Sequence, residues 1–199
     1  MSRLAQLKRN LKPGKVYRRS DLENWSKSVD RHARELVEAG VLKKLQNGLY
    51  YYPKESSFGE EPPTDEQLVR TFLKDDNFLL TSPNSYNALG MGTTQLYNTM
   101  VVYNHKRHGQ YTLGNRTFDF QRKYSFPRKN SKEFLLVDLM NNLSSLAEDQ
   151  KSVESKVASK ALSMDSKKLL SNANKYGKVR TKKFFNSLFA EGQAQANAA

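Results

Sequence analysis

Lys27, Asp30, Arg31 and Arg34 stand at i, i+3, i+4 and i+7, the spacing that gathers side chains on one face of a helix. An arginine fork can bond guanine O6 and N7 together, and lysine or serine can reach bases or phosphate oxygens. Such a stripe can read or clamp a nucleic acid; it can equally be a solvated charged face. Val29, Ala33, Leu36 and Val37 occupy the same stretch at helical spacing. At 100° per residue they lie roughly 125° from the charged stripe, so the stripe faces outward if they pack inward. The candidate contacts are Ser26, Lys27, Ser28 and Arg31 near the helix N-terminus, with Arg34 for the backbone. Arg18, Arg19 and Ser20 upstream suit phosphates. Lys43, Lys44, Asn47 and Gly48 downstream form a second group.

The elements that must hold these side chains can be read from the pattern around them. Residues 3–10 predict a short basic helix, which Pro13 and Gly14 end. Lys15-Val16-Tyr17 predicts a short strand. Ser20 is a candidate N-cap for a second helix running to about Trp25, and Ser26 for a third. Gly40 closes the third helix as a C′ glycine would. Val41–Leu45 and Leu49–Tyr52 predict two strands, joined by Asn47-Gly48 as a type I′ turn, in which both positions take positive φ. Helix, strand, helix, tight turn, helix, hairpin is the order of a winged helix-turn-helix, with the hairpin as the wing.

The chain has 199 residues, no cysteine and a net charge of +13, with a mean hydropathy of -0.77. Disulfides and thiolate metal sites are excluded. No apolar run approaches the ~18 residues of a membrane span, and the N-terminus lacks a signal-peptide core. A cytoplasmic protein with a polyanionic partner is the expectation. Residues 1–53 carry 12 Lys/Arg against 5 Asp/Glu, residues 54–149 carry 11 against 12, and residues 150–199 carry 10 against 3. The charge thus sits in the two ends of the sequence.

The expected fold class is α+β: an N-terminal winged helix-turn-helix, a mixed α/β domain and a C-terminal helical segment. The expected divisions are residues 1–53 for the DNA-binding head, 54–63 for a Pro/Ser/Gly and acidic linker, 64–148 for the α+β domain, 149–190 for a basic helical subdomain, and 191–199 for a disordered tail. In the middle, Thr64–Lys74 predicts a helix and Phe78–Thr81 a strand. Ser82-Pro83 starts a further helix, and Thr99–Tyr124 a run of strands. The stretch "EFLLVDLMNNLSSL" returns to a helix.

Catalytic patterns are scarce. "HKRH" around His105 and His108 could be a metal pair, but with no carboxylate nearby in sequence a polar loop explains it better, and no metal or cofactor is expected. "ALGMGTT" lacks the lysine of a P-loop, and no nucleophile elbow occurs. No enzyme activity is expected. The C-terminal lysines, with "YGKVRTKKFF" the densest patch, leave two readings open. Lys178, Arg180, Lys182 and Lys183 are accessory nucleic-acid contacts, or they are the solvated side of helices whose phenylalanines pack inward.

"LKPGKVYRRSDL", "LVEAGVLKKLQNGLYYYPKESSFGEEPP" and "LLTSPNSYNALGMGTTQLYNTMVVYN" together resemble the AbiEi-type antitoxins of bacterial type IV toxin–antitoxin (abortive infection) systems, over roughly residues 5–148. The resemblance implies a winged helix that binds operator repeats, in inverted pairs, and represses its own operon, with two copies per operator built from a monomer or dimer. It implies a functional link to a nucleotidyltransferase-like toxin without a stable complex. It assigns DNA contacts to Lys27, Ser28, Arg31 and Arg34 and to Lys44–Gly48. It also points to an antitoxic surface at Ser82, Asn84, Tyr86, Asn87, Thr94 and Gln95, with Lys106 and Arg107. The alternative is an RNA-binding protein or enzyme that uses the winged helix as a nucleic-acid docking module.

Overall fold

The computed structural model describes residues 3–91, 97–147 and 149–197. Along the chain the elements are α1 (Arg3–Asn10), β1 (Lys15–Arg18), α2 (Arg19–Glu23), α3 (Val29–Glu38), β2 (Lys43–Gln46), β3 (Leu49–Tyr52), β4 (Lys54–Ser56), β5 (Gly59–Glu61) and α4 (Asp65–Leu73). There follow β6 (Phe78–Thr81), a 3₁₀ helix (Pro83–Leu89), β7 (Met100–Asn104), β8 (Gly109–Leu113) and β9 (Arg116–Arg122). The chain ends in α5 (Lys132–Asn142), α6 (Gln150–Leu162), α7 (Ser166–Tyr176) and α8 (Val179–Asn197). The fold is α+β, as expected. No described helix is long and apolar enough to cross a membrane.

The chain divides into two compact units, residues 1–78 with 106–121 and residues 79–105 with 122–199. In the first unit, the helix-turn-helix packs around Leu7, Leu11, Tyr17, Leu22, Val29, Ala33, Leu36 and Leu42. Val29, Ala33 and Leu36 are the positions that recur at helical spacing, while Tyr17 comes from β1 and Leu42 from the loop before β2. β3 lies between β1 and β2, antiparallel to both. α3 ends in a Schellman motif. Gly40 sits at φ +70°, its N–H donates to the Val37 carbonyl at 3.0 Å, and the Val41 N–H donates to the Leu36 carbonyl at 2.9 Å. The expected order of elements is therefore present, hairpin included.

Several expectations need correction. The stretch 54–63 is not a structureless linker: β4 and β5 pair antiparallel, and the Tyr51 hydroxyl donates to the Glu61 carbonyl at 2.6 Å. Three-residue strands carry no readable periodicity, and acidic, serine-rich composition imitates a linker. α4 does not open a second domain. The Arg18 guanidinium donates to the Thr71 carbonyl, Gln67 Nε2 donates to the Gly14 carbonyl at 3.3 Å, and Arg116 pairs with Asp65 at 2.6 Å. α4 and the β8–β9 hairpin thus belong to the first unit, where Phe72 meets Tyr111 and Phe120.

The second unit is built around α5, whose residues Phe134–Asn141 are all buried. A helix apolar on every side must be enclosed. The 3₁₀ helix, α6, α7 and α8 enclose it through Leu89, Val157, Ala161, Leu169, Ala173 and Phe185. The C-terminal helices therefore share this core rather than forming a subdomain of their own, and α8 continues to Asn197 where a disordered tail was expected.

Candidate nucleic-acid interface

The local chemistry at the start of α3 decides where its side chains point. Ser28, not Ser26, is the N-cap. Ser26 is buried, accepts the Ser28 N–H at 3.1 Å and meets His32 Nδ1 at 2.7 Å. Arg31 Nη2 stands 3.3 Å from His32 Nε2. An arginine only donates, so Nε2 accepts, and Nδ1–H donates to the Ser26 hydroxyl. Ser26 is thus withdrawn from any base contact, correcting its assignment, and holds the turn of the motif instead. His32 was missed as a core residue, although it stands three positions after Val29 on the buried side.

Outside that core, α3 presents Asp30, Arg31 and Arg34 to solvent. Lys27 is exposed too, but in the turn before the helix rather than on its stripe. Arg19 Nε and Nη2 each lie 2.7 Å from an Asp30 oxygen, and Arg19 also pairs with Glu23. The hydrogen bonds from Arg19 hold the Asp30 carboxyl below the usual carboxylate range. Arg19 is therefore engaged within the head, as Arg18 is with Thr71. Burial lowers the Arg18 pKa, and neither arginine is a free phosphate clamp. Ser20 lies within α2, not at its cap: Arg18 holds that position. Arg31 keeps a loose pairing with Glu35 at 3.6 Å, with most of its side chain exposed. Among the described residues, Lys27 and Arg34 make no ion pair.

The wing is short and braced. The Arg19 N–H donates to the Gly48 carbonyl at 2.9 Å, and the Gly114 N–H to the Leu45 carbonyl at 2.9 Å. Gly48 sits at φ +73°, but Asn47 keeps a negative φ. The turn is therefore not type I′, and the ladder bulges between Lys44 and Gln46. Lys43 pairs with Glu60. Lys44 and Asn47 stay exposed, and Lys44 has no ion-pair partner among the described residues.

The residues offered for an antitoxic surface divide between the units. Lys106 and Arg107 lie in the first, Ser82, Asn84, Tyr86 and Asn87 in the second. Lys106 Nζ caps the end of α4, donating to the Lys74 carbonyl at 3.0 Å and meeting Asp75 at 3.0 Å. Arg107 stacks 5.0 Å over the Phe72 ring. Asn84 clamps Tyr97 with both ends of its amide, at 2.7 and 3.0 Å, and Ser82 is the N-cap of the 3₁₀ helix. Asn87 is exposed there, its carbonyl accepting the Gly90 N–H at 3.0 Å. Thr94 and Gln95 lie outside the described residues.

Tyr86 is buried in a polar cluster that the sequence reading missed. Its hydroxyl donates to Asp138 at 2.9 Å, the Tyr103 hydroxyl to the same carboxylate at 2.8 Å, and Asn142 Nδ2 to both phenols at 3.2 and 3.1 Å. Lys123 Nζ lies 3.5 Å from Asp138 and 3.3 Å over the Tyr103 ring. The one acid inside "FLLVDLM" was the signal for it.

In the C-terminal patch, Lys178 is structural. Its N–H and Nζ both donate to Asn141, at 2.7 and 2.8 Å. Arg180 pairs with Glu154, Lys182 is half-buried and Lys183 exposed.

No family model matches the chain, and no curated protein matches it. Among solved structures it is similar to the crystal structure of the RV2827C protein from Mycobacterium tuberculosis. That likeness has 14% identity and a TM-score of 0.54, covering 95% of this chain and 75% of that one. It is a likeness of fold.

Proposed function

We propose that the protein is a sequence-specific duplex-DNA-binding repressor of its own operon and the antitoxin of a type IV toxin–antitoxin pair. The observation that carries the DNA-binding part is a packed three-helix head whose third helix turns Arg31 and Arg34 to solvent, with Lys27 at its start and Lys44 on the adjacent wing. A short helix presented this way fits a major groove, its N-terminal side chains on base edges and its later ones on phosphates. The antitoxin role rests on the resemblance of residues 5–148 to the AbiEi type, with a nucleotidyltransferase-like toxin as its functional partner in the cytoplasm. Operators of this kind pair two copies on inverted repeats.

The test is a footprint on the DNA upstream of the protein's own gene, repeated with Arg31→Ala. The substitution is expected to weaken binding by about 1–3 kcal/mol and to relax specificity at one base pair. An unchanged footprint removes α3 as the reading helix.

A further inference from the structure

Residues 122–132 read Arg-Lys-Tyr-Ser-Phe-Pro-Arg-Lys-Asn-Ser-Lys, five cations with no carboxylate. Arg122, Lys123 and Tyr124, with His105, line a cavity of 420 Å³ in the second unit. Its floor is rigid. The Lys123 N–H donates to the Asn104 carbonyl at 2.9 Å, and His105 Nδ1–H donates to the Lys123 carbonyl at 2.8 Å. The His105 ring is stacked on Phe126 at 4.7 Å and 29°. Donation from Nδ1 leaves Nε2 as an acceptor. The Lys123 ammonium is turned inward, against Tyr103 and Asp138.

Two groups remain for a ligand. Tyr124 is 105% exposed, so its ring carries no packed neighbour on either face. Arg122 is exposed, with no ion pair or hydrogen-bond partner for its side chain among the described residues. A bare aromatic face beside a guanidinium fork is complementary to a flat heterocycle that carries a phosphate.

We propose that this cavity binds one unpaired nucleotide, its base stacked on Tyr124 and its phosphate held by Arg122. A base inside a duplex is stacked on both sides and has no face to give. The ligand is therefore a single-stranded segment or a free nucleotide, and the site is separate from the duplex contacts proposed for α3. It uses other residues in the other unit and does not depend on that reading.

The experiment uses the full chain carrying Lys27→Ala and Arg34→Ala, so that the helix-turn-helix contributes little. The probe is a fluorescein-labelled single-stranded DNA octamer containing 5-iodouracil, read by anisotropy at ~150 mM salt, where non-specific phosphate binding has faded. Tyr124→Ala is expected to weaken binding roughly tenfold, as loss of one stacking partner does, and Tyr124→Phe to keep the parental affinity. Near-ultraviolet irradiation is expected to cross-link the probe to Tyr124. Competition by AMP assigns the site to free nucleotides; its failure, with octamer binding retained, assigns it to strands. Octamer affinity unchanged in Tyr124→Ala, equal loss in the Ala and Phe variants, a cross-link only elsewhere, or no anisotropy change with the octamer together with no heat of AMP binding by calorimetry overturns the proposal.

Discussion

Asp138 and its four neighbours show how much a single side chain can hold. The carboxylate is fully buried and accepts from two tyrosine hydroxyls beside the Lys123 ammonium. Asp138→Ala leaves a desolvated cation and two phenols without their acceptor, and should cost about 3–5 kcal/mol in urea unfolding. The pH dependence has a sign. Burial, and after it the Asp138 charge, raises Tyr86 and Tyr103 above their ordinary 10.0. Below that value both states hold these protons and the contribution is complete. Above it the unfolded chain releases them first, so stability falls. Burial lowers Lys123 from 10.5, which gives an opposite rise only between its lowered value and 10.5. Denaturation midpoints should therefore drop once the pH passes 10.5, less steeply in Tyr86→Phe. At this scale the sequence was a partial guide. Residue type and spacing marked Arg31 and Arg34 as outward-facing; Lys27 is exposed too, but from the turn and not from the stripe. Type and spacing could not show that Arg18, Arg19, Lys43 and Lys178 spend their charge on carbonyls and carboxylates, because those partners lie far along the chain or depend on side-chain direction.

At the scale of elements, punctuation was the most legible signal. Gly40 was read as a helix stop, and it sits at φ +70° with nothing within 4 Å of a Cβ placed there. Gly40→Ala meets no clash and should cost only the left-handed backbone term, about 1–2 kcal/mol; Gly40→Asn should cost less. Both are measurable by chemical denaturation. α4 begins with a capping box, in which the Gln67 N–H donates to Thr64 Oγ1 at 3.2 Å and the Thr64 N–H to Gln67 Oε1 at 3.0 Å. Thr64→Ala should lose about 0.5–2 kcal/mol. Turn type was less legible than turn position. Asn-Gly favours type I′ in an isolated hairpin, but here the tip is bonded to Arg19 and the strand bulges, so only Gly48 takes positive φ. The short β4–β5 hairpin had no local signature beyond its glycine.

Across the whole molecule, the two compact units share the positive charge more evenly than the segments of the sequence do. The first unit has 18 Lys/Arg against 13 Asp/Glu, and the second 15 against 7. The near-neutral middle of the sequence conceals an acidic stretch in one unit and the basic run 122–132 in the other. A plot of log affinity for operator DNA against log salt should lose about one unit of slope for each of Lys27→Ala, Arg34→Ala and Lys44→Ala. The paired Arg19 and Lys43 should change it less. The domain division was illegible because residues 106–121 return to the first unit from far along the chain, and local patterns carry no record of such a return. The same return has a consequence for synthesis. The first unit cannot be completed until its last hairpin, ending at Gln121, has left the ribosomal exit tunnel, after β7 of the other unit is already out. A break after Gln121 leaves the first unit whole but carries residues 79–105 of the second away with it, and no single break leaves the second unit whole.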